Sequence, residues 1–81
     1  MRVRVYVSFK KTVLDPQGKT VCAALRGKGY DMVADVRQGK FFEITLQPGT
    51  DRAVAEKQIA ELAEEVLANP VIEDFQVEFL D

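Results

Sequence analysis

Eighty-one residues and 9.1 kDa set the scale of one domain spanning residues 1–81, since a chain below roughly 100 residues has little room for a second independent core. With 47% apolar and 30% charged residues the composition is that of a globular protein, which excludes a disordered tail and a membrane span. Eleven Lys and Arg against 13 Asp and Glu leave a net charge of −2, so the global field disfavours nucleic acid as a partner. The chain has no histidine, which removes Ser–His and Cys–His nucleophiles and the commonest metal ligand, and with them most hydrolase chemistry. One cysteine cannot close an intramolecular disulfide, and Met1–Phe9 alternates polar and apolar residues instead of forming a leader, so a cytoplasmic location is expected. A domain this small buries only about 60–65% of its unfolded surface, and association with itself or a partner is the natural supplement.

The chain opens with Arg-Val-Arg-Val-Tyr-Val-Ser-Phe, whose period of two puts Val3, Val5, Val7 and Phe9 on one face of a strand. Asp15-Pro16 then supplies an N-cap carboxylate and a proline at the first helical position. A helix of about three turns is predicted there, with Val21, Ala24 and Leu25 on its apolar side and Gly27 or Gly29 closing it. Met32–Leu46 contains two apolar runs divided by Gln38-Gly39-Lys40 and reads as a hairpin, with Gly39 taking the positive φ of the turn. Phe42, Ile44 and Leu46 share one face of the second of these strands, and Phe41, Glu43 and Thr45 the other. Pro48-Gly49 ends it, Thr50 or Asp51 caps a second helix, and Ala55, Ile59, Leu62 and Val66 form that helix's apolar stripe. Asn69-Pro70 stops the helix, and Phe75, Val77 and Phe79 point inward from a final strand.

The order β-α-β-β-α-β predicts a two-layer, ferredoxin-like α+β sandwich, an antiparallel sheet with both helices on one face. The other sheet face would carry Arg2, Arg4, Tyr6, Arg37, Glu43, Thr45, Asp74 and Gln76, mixed charges suited to water or a polar protein interface.

No segment carries a catalytic constellation. Gly18-Lys19-Thr20 resembles the end of a P-loop, but Val13 stands where the first glycine belongs, Asp15 repels phosphate and Pro16 offers it no N–H. Gly27-Lys28-Gly29 opens like a dinucleotide fingerprint, yet Met32 replaces the third glycine and the segment ends a helix instead of starting one. Cys22 has no histidine to deprotonate it and reads as a packed thiol; Glu64-Glu65 and Glu73-Asp74 are neighbours that point apart and read as solvated charges. Gly39-Lys40-Phe41-Phe42 lies where RNA-recognition domains of this topology carry stacking aromatics, but Glu43 follows Phe41 on the same face and repels a phosphate backbone.

The specified parts are the turns: Leu14-Asp15-Pro16-Gln17-Gly18, Val36-Arg37-Gln38-Gly39-Lys40 and Leu67-Ala68-Asn69-Pro70-Val71-Ile72-Glu73. Together with the opening Val-Tyr-Val-Ser strand they resemble the PurS family, the small subunits of phosphoribosylformylglycinamidine (FGAM) synthase, and the resemblance covers the whole chain. It implies a non-catalytic subunit in purine biosynthesis that self-associates as a homodimer, with tetramers a further step, and bridges a glutaminase and a large synthetase. It also implies a part in ammonia transfer during conversion of formylglycinamide ribonucleotide to its amidine. This chain would bind no cofactor or metal; ATP and Mg would belong to the synthetase. Leu14, Asp15, Pro16, Gly18, Arg37, Gly39, Lys40, Asn69 and Pro70 are expected at the subunit interface, with Arg37 and Lys40 docking the larger subunits. The alternative is an amino-acid-binding regulatory module of the ACT type, which shares the element order and also dimerises.

Overall fold

The structure, a computed structural model, describes residues 1–80. Its elements are β1 (Arg2–Phe9), α1 (Pro16–Gly27), β2 (Gly39–Thr45), α2 (Arg52–Leu62) with a continuing π-helical turn (Ala63–Leu67), and β3 (Glu73–Phe79). The strands form one antiparallel sheet in the order β2-β1-β3. Its registers pair Val5 of β1 with Phe42 on one side and Val77 on the other. The alternation in β1 is realised for its valines: Val3, Val5 and Val7 are buried and pack with Ile59, Ala63 and Ala68 into the core, while Phe9, expected on the same face, is only half-buried at the strand's end. Phe42, Ile44, Phe75, Val77 and Phe79 lie half-buried around it.

Both helix starts follow from their caps. Asp15 accepts the Gly18 N–H at 2.9 Å with Pro16 at the first position, and Asp51 accepts the Ala53 N–H at 2.9 Å. α1 closes by a Schellman arrangement in which Gly29, at φ +96°, donates to the Arg26 carbonyl and Tyr30 to that of Leu25.

Four expectations are corrected. The predicted hairpin does not form: Val33–Gln38 has no ladder partner and runs straight into β2, giving three strands instead of four. Gly39 keeps a negative φ, and its glycine identity has another origin, since a Cβ there would meet the Val7 carbonyl oxygen at 2.8 Å. With no turn to fold it back, the chain from α1 to Gln38 leaves the sheet as an arm. α1 consequently does not pack on the sheet beside α2, and Gly18 is its one buried residue. The extents of 51 × 26 × 14 Å and radius of gyration of 16.2 Å follow, against about 12 Å for a compact chain of this length. In the second helix the stripe shifts at the π turn, where Ala68 donates to the Ala63 carbonyl at 2.8 Å. Widening by one residue brings Ala68 to the buried side after Ala63 and turns Val66 outward, to 76% exposure.

Candidate functional site

Because β1 runs antiparallel to both neighbours, its C-terminal end lies beside the starts of β2 and β3: Ser8 pairs with Gly39 and Phe9 with Glu73. The three specified turns therefore meet at one end of the sheet. A reciprocal clasp joins the first two. The Asp15 carboxylate, 1% exposed, accepts N–H groups from Gly18 and, at 2.6 Å, from Gln38. In return one Arg37 nitrogen, Nη2, donates to the carbonyls of Lys10 and Val13, each at 2.9 Å. The side chain of each segment thus holds the backbone of the other, and the Gln17 and Gln38 side chains hydrogen-bond alongside. The backbone donors of Gly18 and Gln38, aided by the Arg37 charge, hold the Asp15 carboxyl below its ordinary pKa against the opposing effect of burial. Gly18 is required here by space, since a Cβ would lie 2.3 Å from the Val36 carbonyl oxygen.

The third turn is built by Asn69. Its side-chain oxygen accepts the Val71 N–H at 3.1 Å, its carbonyl accepts from Ile72 and Glu73, and its own N–H donates to the Glu73 carboxylate at 2.7 Å. The Lys10 N–H reaches the Ile72 carbonyl at 2.9 Å, fastening this turn to the first. The result is a firm ridge that presents Val71 at 78% exposure, and Leu14 of the first turn stands out at 61%. Lys40 lies over the Phe42 ring, 5.6 Å from its centre. Two open clefts flank the junction: one of about 750 Å³ includes Phe9, Lys10, Lys11, Glu64, Pro70 and Glu73, and one of about 190 Å³ includes Gln17, Gln38, Gly39 and Lys40.

The nine expected interface residues all lie at this end, on loops, in the first turn of α1 or at the start of β2, but they divide by task. Asp15, Gly18, Arg37, Gly39 and Asn69 shape the backbone, whereas Leu14 and Lys40 are turned outward. The expected interface set left out Lys10, Gln38, Val71 and Glu73, although the last three stand in the specified turns; the four-residue Asn69–Glu73 spacing is the signal for the Glu73 contact. Alternation also placed Arg37 on the outer sheet face, from which the arm removes it. That face instead carries a cross-strand pair, Tyr6 and Phe41, with ring centres 6.0 Å apart and the Arg4 guanidinium 5.2 Å from the Phe41 centre. Its charged groups have local partners: Arg4–Glu43 at 3.0 Å and Lys10–Asp74 at 3.2 Å are ion pairs, and Glu78 accepts the Tyr6 hydroxyl at 3.1 Å.

Among the described residues no group of three His, Cys, Asp or Glu could hold a metal ion, and no helix is long and apolar enough to cross a membrane. The arrangement offers a shaped polar junction with apolar points.

Residues 2–81 match the model of the family PurS, phosphoribosylformylglycinamidine (FGAM) synthase. The chain is 47% identical over 77 residues to the phosphoribosylformylglycinamidine synthase subunit PurS of Bacillus subtilis (strain 168), covering 95% of this chain and 89% of that one. Among solved structures, B. subtilis PurS superposes with a TM-score of 0.78 at 46% identity, covering 95% of this chain and 94% of that one. A chain from the Thermotoga maritima PurLQS structure superposes at 0.84 with 27% identity, covering 95% and 93%. Agreement of sequence and of fold along nearly the whole length establishes that the chain belongs to the PurS family of FGAM synthase subunits.

Proposed function

We propose that this chain is the small, non-catalytic subunit of a cytoplasmic FGAM synthase, a ligase complex of purine biosynthesis, and that it works by holding larger subunits together. In this reading it bridges the glutaminase and the ATP- and Mg-dependent synthetase and assists ammonia passage between them. The observation that carries it is the meeting of the three specified turns at one sheet end, rigid and without an acid–base or nucleophile–base pair. Ammonia in transit must be kept from water and protonation, because ammonium is not nucleophilic; that asks for enclosure, not for a reactive side chain. Leu14, Lys40 and the Pro70-Val71 ridge are the outward points of the docking surface, with Asp15, Gly18, Arg37, Gly39 and Asn69 fixing their geometry.

The chain also acts as a homodimer in this proposal. Its extended arm leaves Val21 exposed and its small core leaves Phe42 and Ile44 half-buried, and a domain of 81 residues gains stability from a second copy that covers such surface. The test is reconstitution: glutaminase and synthetase are mixed with and without this chain, following glutamine-dependent amidine formation and complex size together. Both should depend on it. Equal association and turnover in its absence would overturn the proposal.

A further inference from the structure

The smaller cleft at the turn junction gathers charges that the fold itself does not use. Val7 pairs with Lys40 of β2 and Phe9 with Glu73 of β3, so Lys40 and Glu73 stand on the same inner sheet face as Val7 and Phe9. Val7 and Phe9 give the cleft an apolar floor, Lys40 borders it from β2 and Glu73 from β3, and Gln17 and Gln38 close a third side, around a volume of about 190 Å³. Lys40 is exposed and lies 5.6 Å from the Phe42 ring centre, a contact that occupies none of its three N–H donors. Glu73 is half-buried and accepts the Asn69 N–H at 2.7 Å through Oε1, which leaves Oε2 for another donor. Neither residue has an oppositely charged group within 4.0 Å among the described residues, although Arg4 with Glu43 and Lys10 with Asp74 do pair nearby. Two strand spacings of about 4.8 Å and two residues of about 3.3 Å set their Cα atoms roughly 12 Å apart, a span that a small molecule carrying both charges can bridge.

A cation and an anion on opposite walls of an apolar floor select a ligand that holds a carboxylate and an ammonium close together, and two carboxamides add neutral donors and acceptors beside them. Size narrows the class further. About 190 Å³ lies below the roughly 300–1,000 Å³ of pockets that enclose drug-sized ligands, which excludes a nucleotide and fits a single small metabolite. We propose that this cleft binds a free α-amino acid with a neutral polar side chain: Lys40 Nζ donates to its carboxylate, the Glu73 carboxylate accepts from its ammonium, and the Gln17 and Gln38 amides bond its side chain. The occupant ties β2, β3 and the arm together at one point. Gln38 is also the residue whose N–H the Asp15 carboxylate holds, so a bound amino acid supports the clasp that shapes the turns. The site needs no other subunit and is therefore independent of the docking role proposed above.

Titration of the full chain with L-glutamine, followed by amide proton–nitrogen correlation NMR, reads the site even at millimolar affinity. The amides of Gln38, Gly39, Lys40 and Glu73 should shift together and saturate with one dissociation constant. L-Glutaminamide lacks the carboxylate and N-acetyl-L-glutamine the ammonium, and each should bind at least about tenfold more weakly, the loss of one charge-assisted hydrogen bond. Lys40→Gln and Glu73→Gln should weaken L-glutamine by the same factor. Glu73→Gln keeps a side-chain oxygen for the Asn69 N–H, and circular dichroism with the remaining amide signals verifies that both variants keep the fold. Absence of saturating shifts at these residues up to about 50 mM L-glutamine would overturn the proposal. Equal affinity of the variants, or of the two analogues, would overturn it too, by showing that Lys40 and Glu73 do not recognise the charges. Any of these failures leaves the docking role standing, because complex formation is read separately by reconstitution, and a failed reconstitution leaves the amino-acid site standing.

Discussion

Two glycines of the same helix should respond to alanine in opposite directions. At Gly18 a Cβ would stand 2.3 Å from the Val36 carbonyl oxygen and 2.6 Å from Asp15 Oδ2. Neither neighbour yields cheaply: one is backbone of the returning arm and the other is the cap that holds both Gly18 and Gln38. Overpacking of this kind costs about 1–3 kcal/mol, more than alanine's helix preference of about 1 kcal/mol returns. At Gly27 nothing lies within 4 Å and φ is not positive, so alanine gains that preference without strain and should stabilise by roughly 0.5–1 kcal/mol. Urea denaturation followed by far-UV circular dichroism reads both, at one fixed protein concentration because association contributes to the midpoint. Gly18→Ala should lower the midpoint and Gly27→Ala raise it. An unchanged or higher midpoint for Gly18→Ala would refute the claim that close approach of the arm demands glycine there.

Ile59→Ala empties a site that is 2% exposed at the centre of the core and should cost about 2–5 kcal/mol, a large share of the roughly 4–12 kcal/mol available to a chain this long; a loss under about 1 kcal/mol would mean the core is not centred on α2. Asp15 has a folded pKa below its unfolded one, so its stabilisation is complete above the unfolded value and disappears as pH falls through the folded value. The stability gap between the parent and Asp15→Asn should accordingly be widest above about pH 4 and close at lower pH, as urea midpoints measured from pH 7 downward would show. Arg37→Ala should lower both stability and affinity for the synthetase, because its Nη2 bonds hold the Lys10–Val13 turn, whereas Lys40→Ala should lower affinity alone. Thermal melts alongside binding titrations distinguish the two, and loss of affinity in Arg37→Ala at unchanged stability would make Arg37 a direct contact.

The elements that local chemistry determines were legible in the sequence. Asp15-Pro16, Gly29 and Asp51 bound their helices as capping rules require, and alternation alone assigned Val3, Val5 and Val7 to the core. What was not legible depends on contacts distant along the chain. Gly39 looks the same in sequence whether it turns a hairpin or lets β1 approach, and the choice is made by the Asp15 carboxylate, 23 residues before the Gln38 N–H that it holds. Val66 satisfies a helical stripe of period 3.6, and only the π turn closed by Ala68 takes it out of register. The candidate site shows the same division. Its residues were found as turn formers, but their meeting at one end follows from sheet order, which no single turn encodes.

The clasp links this site to the arm, and the link bears on function. Asp15 and Arg37 stand where the arm leaves the sheet and where it returns, so the bonds that shape the docking turns also set the arm's direction. In the homodimer proposed above, that direction sets how the exposed Val21 of the arm is presented to the second copy. A partner subunit pressing on the Leu14 or Lys40 turn would then act on the same few hydrogen bonds that orient the arm. Dimerisation and docking should therefore be coupled, with either event favouring the other by the same factor. The prediction is quantitative in form: the increase in synthetase affinity on passing from monomeric to dimeric chain must equal the increase in dimer affinity when synthetase is bound. Asp15→Asn, which weakens the clasp without touching Leu14 or Lys40, should reduce that common factor, and retention of the full factor would show that the turns and the arm are set independently.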